Sequence, residues 1–328
     1  VQHKPYNATD NSAMTKNASN HILMIRPARF EMNKQTAVDN FYQQKYAASD
    51  WESDNRNAQL EFDNFVRKLE SVGVKVYVIQ DSENPHTPDS IFPNNWISMH
   101  SDGRIVLYPM KAKNRRSERI SDIESVLRGF GFEVNTTLDF SQAEEQDVYL
   151  EGTGSIVFDH DNSTAYMARS QRADEFLLAE VCQELNYKSV VFNAFQDTPE
   201  GRQSIYHTNV MMCMTNTYAV ICLEAIDDID ERRLLVQSIS ECGKDIIDIS
   251  EVQKHRFAGN MLLVKGADQK LFVAMSTSSY EALTTTQIQR MEQDHNLVHS
   301  DLTTIETLGG GSARCMLAEI YLATQTKS

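Results

Sequence analysis

The sequence predicts an α/β protein in which one domain is built as a ring of about five β–β–α–β units. Three observations point there. Residues 95–109, 154–168, 209–225 and 260–276 read as β-hairpins, because β-branched and aromatic residues flank polar turn residues in each. Stretches with apolar residues at i, i+3 and i+4 follow them at 117–128, 173–184, 230–242 and 284–294, as amphipathic helices require. The polar residue opening each hairpin recurs at a nearly constant interval: 56 residues from Asn95 to Glu151, 56 to His207, 53 to Asn260 and 55 to Cys315. Such a period belongs to repeat architectures, in which each unit buries its apolar face on its neighbours. The competing arrangement is a two-domain α/β protein with evenly spaced hairpins.

In chain order, residues 1–20 are polar and Asn-rich and lack the charged-then-apolar order of a signal peptide, so they are expected as a disordered tail. A single catalytic domain is expected over 21–328. Its first strand, 22–27, should meet the 314–321 run and close the fifth unit. Short strands at 75–79, 189–192 and 244–249 complete three units.

Composition narrows the function classes. The chain has 328 residues, 41% hydrophobic and 23% charged, enough apolar surface for one large core. A net charge of −15 repels phosphate backbones, which disfavours nucleic acid and anionic membranes as partners. No apolar run approaches the roughly 20 residues of a membrane span. The five cysteines show no C-x-x-C spacing, which fits a reducing cytoplasmic setting without a zinc or redox motif.

If equivalent ends of the units gather about one centre, Asn95, Glu151, His207 and Cys315 converge there. Cys315 follows three glycines and a serine in LGGGSARCM. A glycine-rich turn permits close backbone approach, and a thiol with pKa near 8.5 needs an activating neighbour to act as a nucleophile. His207, heading a strand in IYHTNV, is the natural one. Glu151 lies between a strand end and a Gly-x-Gly turn, a poor position for a solvated carboxylate. Together the three suggest a Cys–His–Glu site for electrophilic carbon chemistry. Taken singly, each reads equally well as a core or hydrogen-bonded structural residue. Asn260, in FAGNM, opens the remaining hairpin without an assigned role.

The motifs PDSIFPNNW (88–96), LEGTGS (150–155), HTNV (207–210) and GGGSARCM (309–316) together resemble the guanidino-group-modifying superfamily. That group contains arginine deiminase, dimethylarginine dimethylaminohydrolase, N-succinylarginine dihydrolase and the amidinotransferases. The resemblance runs from about His21 to Tyr321. It implies a five-bladed β/α-propeller (pentein), Cys315 as nucleophile, His207 as general acid/base, and Glu151 gripping the substrate head group. It implies no metal or organic cofactor.

Two departures bear on the substrate. The deiminases carry Asp where Asn95 and Asn209 stand, and those aspartates pair with a guanidinium. Two amides remove two negative charges and offer N–H donors, which suits a neutral ureido group. Asp89 and Glu151 would still accept from ureido N–H groups. On this ground the sequence is similar to the citrulline-hydrolysing branch, whose products are ornithine, ammonia and carbon dioxide. The succinylarginine dihydrolases also use Asn at the Asn95 position, so arginine-type dihydrolase or deiminase chemistry is the alternative, and amidino transfer is a second. Arg172 and Arg116 match arginines that the deiminases use for the substrate α-carboxylate. The expected partner is thus a citrulline- or arginine-type small molecule, with a homodimer as the base-rate assembly.

Overall fold

A computed structural model describes residues 15–43, 50–198 and 201–325. Among these residues the strands form five three-stranded sheets and one two-stranded hairpin. Each three-stranded sheet has one plan: an antiparallel pair whose second or central strand is flanked by a parallel third. Ile97–Met99 pairs antiparallel with Arg104–Leu107, which pairs parallel with Thr136–Asp139. The plan repeats in Val157–Asp159, Thr164–Ala168 and Lys188–Phe192, and in Met212–Met214, Tyr218–Ile221 and Asp245–Asp248. It recurs in Leu262–Lys265, Leu271–Ser276 and Asn296–Ser300. The fifth sheet joins the two ends of the chain. His21–Arg26 pairs antiparallel with Ala318–Glu319 and parallel with Lys75–Gln80, as the sequence predicts.

A parallel third strand needs a crossover, and helices supply it. Glu175–Leu185, Ile229–Glu241 and Thr285–Glu292 fall within a residue or two of expectation at most ends, started by Asp174, Asp228 and Thr284 side chains that accept backbone N–H groups. The stretch expected as one helix over 117–128 is instead a 3₁₀ turn, Lys113–Glu118, and a short helix, Ile123–Gly129. The longest helix, Trp51–Ser71, carries an apolar stripe not read from the sequence: Ala58, Phe62, Phe65 and Leu69, all buried. The hairpin Phe195–Thr198 with Gly201–Ser204 is likewise an addition to the plan.

The tail expected over 1–20 is packed from residue 15 onward; residues 1–14 lie outside those described. Ala18 is buried, Ser19 bridges Val264, and Asn17 donates to Asp159 Oδ1 (2.8 Å) and Thr215 O (3.2 Å). Polar composition did not prevent order here, because these amides and hydroxyls find buried partners between units.

Tight turns precede the first strands of the hairpins: Pro93–Asn95, Gly152–Ser155, Thr208–Val210 and Ala313–Met316. Gly152–Ser155 packs against both Pro93–Asn95 and Thr208–Val210, and Pro93–Asn95 packs against Ala313–Met316. The sheets therefore present residues far apart in sequence at one place.

Candidate active site

Glu151, His207 and Cys315 are all buried, and His207 and Cys315 line one narrow cavity with Asp89, Asn95 and Arg172. The Glu-Gly-x-Gly turn brings the units this close. Gly152 has φ +43°, and a Cβ there would meet the Asn94 and Asn95 carbonyls. A Cβ on Gly154 would collide with the Asn95 amide and lie 2.8 Å from His207 Nδ1 and Cε1. The Thr208 hydroxyl fixes the next unit, donating to Ser155 O at 2.5 Å and accepting from Ala168 N at 2.8 Å.

His207 Nε2 and Glu151 Oε2 lie 2.8 Å apart. Because an ionised carboxylate only accepts, Nε2–H donates and Nδ1 is left as the proton-accepting nitrogen. Burial acts to raise the Glu151 carboxyl, but Arg172, His207 and Arg115 outweigh it and hold it well below the usual carboxylate range. Burial lowers His207, with the Glu151 bond acting against that fall. Glu151 Oε1 accepts from Lys111 N at 3.0 Å, so the carboxylate is held from both sides.

The Cys315 sulfur sits on the 3₁₀ turn, facing two amides. Asn260 Nδ2 lies 3.3 Å and Asn209 Nδ2 3.6 Å from Sγ. Burial pushes the thiol up; the Ser312 backbone amide, Asn260, Arg314 and Asn209 pull it back. Arg314 itself turns away, bonding Leu317 O at 2.7 Å and Glu319 at 3.0 Å.

Of the arginines expected on substrate, Arg172 lines the cavity. It pairs with Asp39, lies 3.4 Å from Glu151, donates to Thr36 O at 3.2 Å, and stacks over the Tyr206 ring. Arg116 does not. Its guanidinium bonds Met110 O (3.1 Å) and Glu144 (3.3 Å) at the protein's flank. The neighbouring Arg115 enters instead, donating to Asn95 Oδ1 at 2.7 Å and gripping Glu118 with two contacts of 2.9 Å. Asp89 lies 3.6 Å and Glu151 3.9 Å from the same guanidinium. The cause is helical geometry. In a 3₁₀ turn i and i+3 eclipse, so Arg115 is matched with Glu118, whereas Arg116 is matched with Arg119 and both reach Glu144. Glu118 at that spacing marks Arg115 only once the 3₁₀ turn over Lys113–Glu118 is known.

The amides at positions 95 and 209 also bond within the protein. Asn95 uses its N–H on Asn94 Oδ1 (3.0 Å) and its oxygen on Arg115. Asn209 donates to Thr153 O at 3.2 Å as well as towards sulfur. Of the two N–H groups on each amide, both of Asn209 have acceptors, Thr153 O and the sulfur, and one of Asn95 does.

A segment the motif reading passed over covers the cavity. Asn33 Nδ2 (2.7 Å) and Thr36 Oγ1 (3.2 Å) donate to Asp89 Oδ2, and Asn40 Nδ2 donates to Gly310 O at 3.2 Å. Tyr206 Oη donates to the same carbonyl at 2.7 Å. Asp39 joins Arg172 to Lys111, which lies 2.6 Å away. Among the described residues no group of three or more His, Cys, Asp and Glu could hold a metal ion, and no helix is long and apolar enough to cross a membrane.

Residues 26–322 match the family model described as N,N dimethylarginine dimethylhydrolase, eukaryotic. No curated protein matches the chain in sequence. Solved structures are similar in fold. The N-terminal domain of ArgZ, covalently bound to a reaction intermediate, has TM-score 0.69 and 17% identity over 93% of this chain and 98% of that one. ArgZ is described as an arginine dihydrolase from the ornithine-ammonia cycle in cyanobacteria. Unliganded AgrE has TM-score 0.70 and 16% identity over 94% of this chain and 40% of that one. A dimethylarginine dimethylaminohydrolase variant bearing an S-methyl-L-thiocitrulline adduct has TM-score 0.63 and 14% identity, over 91% and 98%. With one model matching through every unit that carries Glu151, His207 and Cys315, the chain belongs to the N,N dimethylarginine dimethylhydrolase, eukaryotic, family of the guanidino-group-modifying superfamily, and is a hydrolase of guanidino carbon–nitrogen bonds.

Proposed function

We propose that the protein hydrolyses the guanidino group of an arginine-type amino acid through a covalent adduct on Cys315. One observation carries the choice of a cationic head group. Asp89, Glu118 and Glu151, all buried, face two buried guanidiniums, Arg115 and Arg172, while Asp39 and Lys111 cancel at the rim. Burial pushes Glu118 up to about 8, so it holds its proton near neutral pH and the two other carboxylates match the two guanidiniums. What is left over is Asp89 Oδ1, a buried carboxyl oxygen at the cavity with no hydrogen-bond partner among the described residues. A buried acceptor left without a donor costs about 1–3 kcal/mol, and a bound guanidinium offers it a charged N–H where a ureido group offers a neutral one. The names of the similar proteins, arginine dihydrolase and dimethylarginine dimethylaminohydrolase, support the same class.

In this mechanism the Cys315 thiol passes its proton to His207 Nδ1 and the sulfur lone pair attacks the guanidino carbon. A C–N bond then breaks, and the leaving amine takes a proton from His207. Water, giving its proton to His207 Nδ1, attacks the thio-adduct and releases the sulfur. Glu151 holds the imidazole in one tautomer and stabilises its charged form. The five sheets act as blades of a β/α-propeller within one catalytic domain over 21–328, with the reacting groups at the strand-opening turns.

Citrulline hydrolysis is a second reading, favoured by the neutral amides of Asn95, Asn209 and Asn260 around the carbon-attacking sulfur. The two separate in one experiment: incubate the protein with arginine, N,N-dimethylarginine or citrulline and quantify amine, ammonia, citrulline and ornithine. Arginine or its methylated form should be consumed without an added amine acceptor. Turnover of citrulline alone would reject the cationic reading, and a requirement for an amine acceptor would indicate amidino transfer. Cys315→Ala should abolish turnover with the fold intact by circular dichroism.

A further inference from the structure

We propose that Asn260 is a catalytic residue whose side-chain N–H binds Cys315 Sγ, favours the thiolate as it forms and aims it for attack. The proposal rests on Cys315 being the nucleophile. Asn260 is fully buried, and each of its amide atoms has a fixed task. Oδ1 accepts from Arg314 N at 3.0 Å, and Nδ2 donates to Asn209 O at 2.9 Å. A backbone N–H needs an acceptor and a carbonyl needs a donor, so the amide cannot be turned the other way round without losing both bonds. Its second N–H is thereby directed at Sγ, 3.3 Å away, against 3.7 Å from sulfur to Oδ1.

The backbone before Asn260 is shaped for this reach. Phe257 adopts φ +61°, and Asn260 N returns a hydrogen bond to Phe257 O at 2.8 Å. Gly259 lies so close to the neighbouring turn that a Cβ there would come within 2.6 Å of Met211 C and 2.7 Å of Val210 O. The FAGN segment therefore delivers one side chain into contact with both the sulfur and the backbone of the residue before it.

A buried thiolate without donors is strongly disfavoured, and the neighbouring Arg314 is committed to Leu317 and Glu319. Asn209 gives one N–H to Thr153 O and its other stands farther from the sulfur, with Nδ2 at 3.6 Å. Asn260 is the better-placed side-chain donor. It takes no proton in the reaction. Its N–H bonds the anionic sulfur before attack, and the bond weakens as the electron pair moves into the new S–C bond.

The test reads the thiol directly. Alkylation of Cys315 by iodoacetamide is followed against pH by peptide mass analysis in wild type, Asn260→Leu and Asn260→Asp, with Cys315→Ala as blank. Removing the donor should slow labelling at pH 7 about tenfold and move its midpoint to higher pH. Asn260→Asp, nearly isosteric and negatively charged, should move it further, and decides the matter if the leucine variant does not fold. Turnover at pH 7 should fall in parallel and recover partly at higher pH. An unchanged labelling profile in folded variants would overturn the role of Asn260, whatever their turnover. Full turnover by Cys315→Ala would instead overturn the nucleophile assignment.

Discussion

Positions 115 and 116 carry identical side chains with opposite fates. Arg115 is buried against Glu118, Asn95 and Asp89, whereas Arg116 lies a quarter exposed against Glu144. Removing Arg115 leaves Glu118 and Asp89 buried without their cation, at a cost of about 3–5 kcal/mol. Arg115→Ala should therefore lower both melting temperature and turnover severely, while Arg116→Ala should change turnover no more than a few-fold. Equal effects in thermal melts and steady-state assays would refute the assignment. His207 makes a second residue-level prediction. Its ordinary pKa is lowered by burial, and the neutral ring is the proton acceptor, so activity is retained as pH falls until the ring protonates. The acid limb of the kcat/KM profile should lie below pH 6.5, and an acid limb above that value would reject a neutral His207.

The turn Ile305–Gly309 and the glycine run after it are one element, held by a buried carboxyl. Ser312 Oγ donates to Glu306 Oε1 at 2.5 Å, and Cys315 N donates to Ser312 O at 3.0 Å. Burial pushes Glu306 up to about 7, with bonds from Ser276 and Ser312 opposing the rise and Glu61 and Asp301 adding to it. A carboxyl raised above its unfolded value of 4.5 keeps its proton in the native state while the unfolded chain has lost it. Stability is then full below 4.5 and falls as pH rises to about 7, by about 3 kcal/mol for this group. Glu306→Gln cannot ionise, so its urea-unfolding free energy should decline less between pH 5 and pH 8 than that of wild type. Parallel profiles would show that Glu306 is already ionised at pH 5. The helix Trp51–Ser71 is held by packing instead. Phe62→Ala in its buried stripe should cost about 3–5 kcal/mol in the same measurement.

For the whole molecule, the interval of 53–56 residues made the units legible, because each repeats a local order of hairpin, helix and strand that binary patterning records. Glu151, His207 and Cys315 were legible for the same reason: each opens a unit, and equivalent openings meet. The covering segment, with Asn33, Thr36, Asp39 and Asn40, carries no period, and its partners Asp89, Gly310 and Arg172 are more than 50 residues away in the chain. The packed stretch 15–20 escaped notice similarly, since its order comes from Asp159, Thr215 and Ile320 rather than from its own composition.

What the sequence determined by itself is the repeated unit and the chemistry at its head, because hairpin turns, amphipathic periods and Gly-x-Gly turns are set by neighbours along the chain. Tertiary structure alone decided which of two arginines enters the cavity, where the N–H groups of Asn95 and Asn209 point, and that Asn260 touches the sulfur. Those outcomes depend on hydrogen-bond donors and acceptors contributed by different units, and their pairing is fixed only when the units pack and water is excluded.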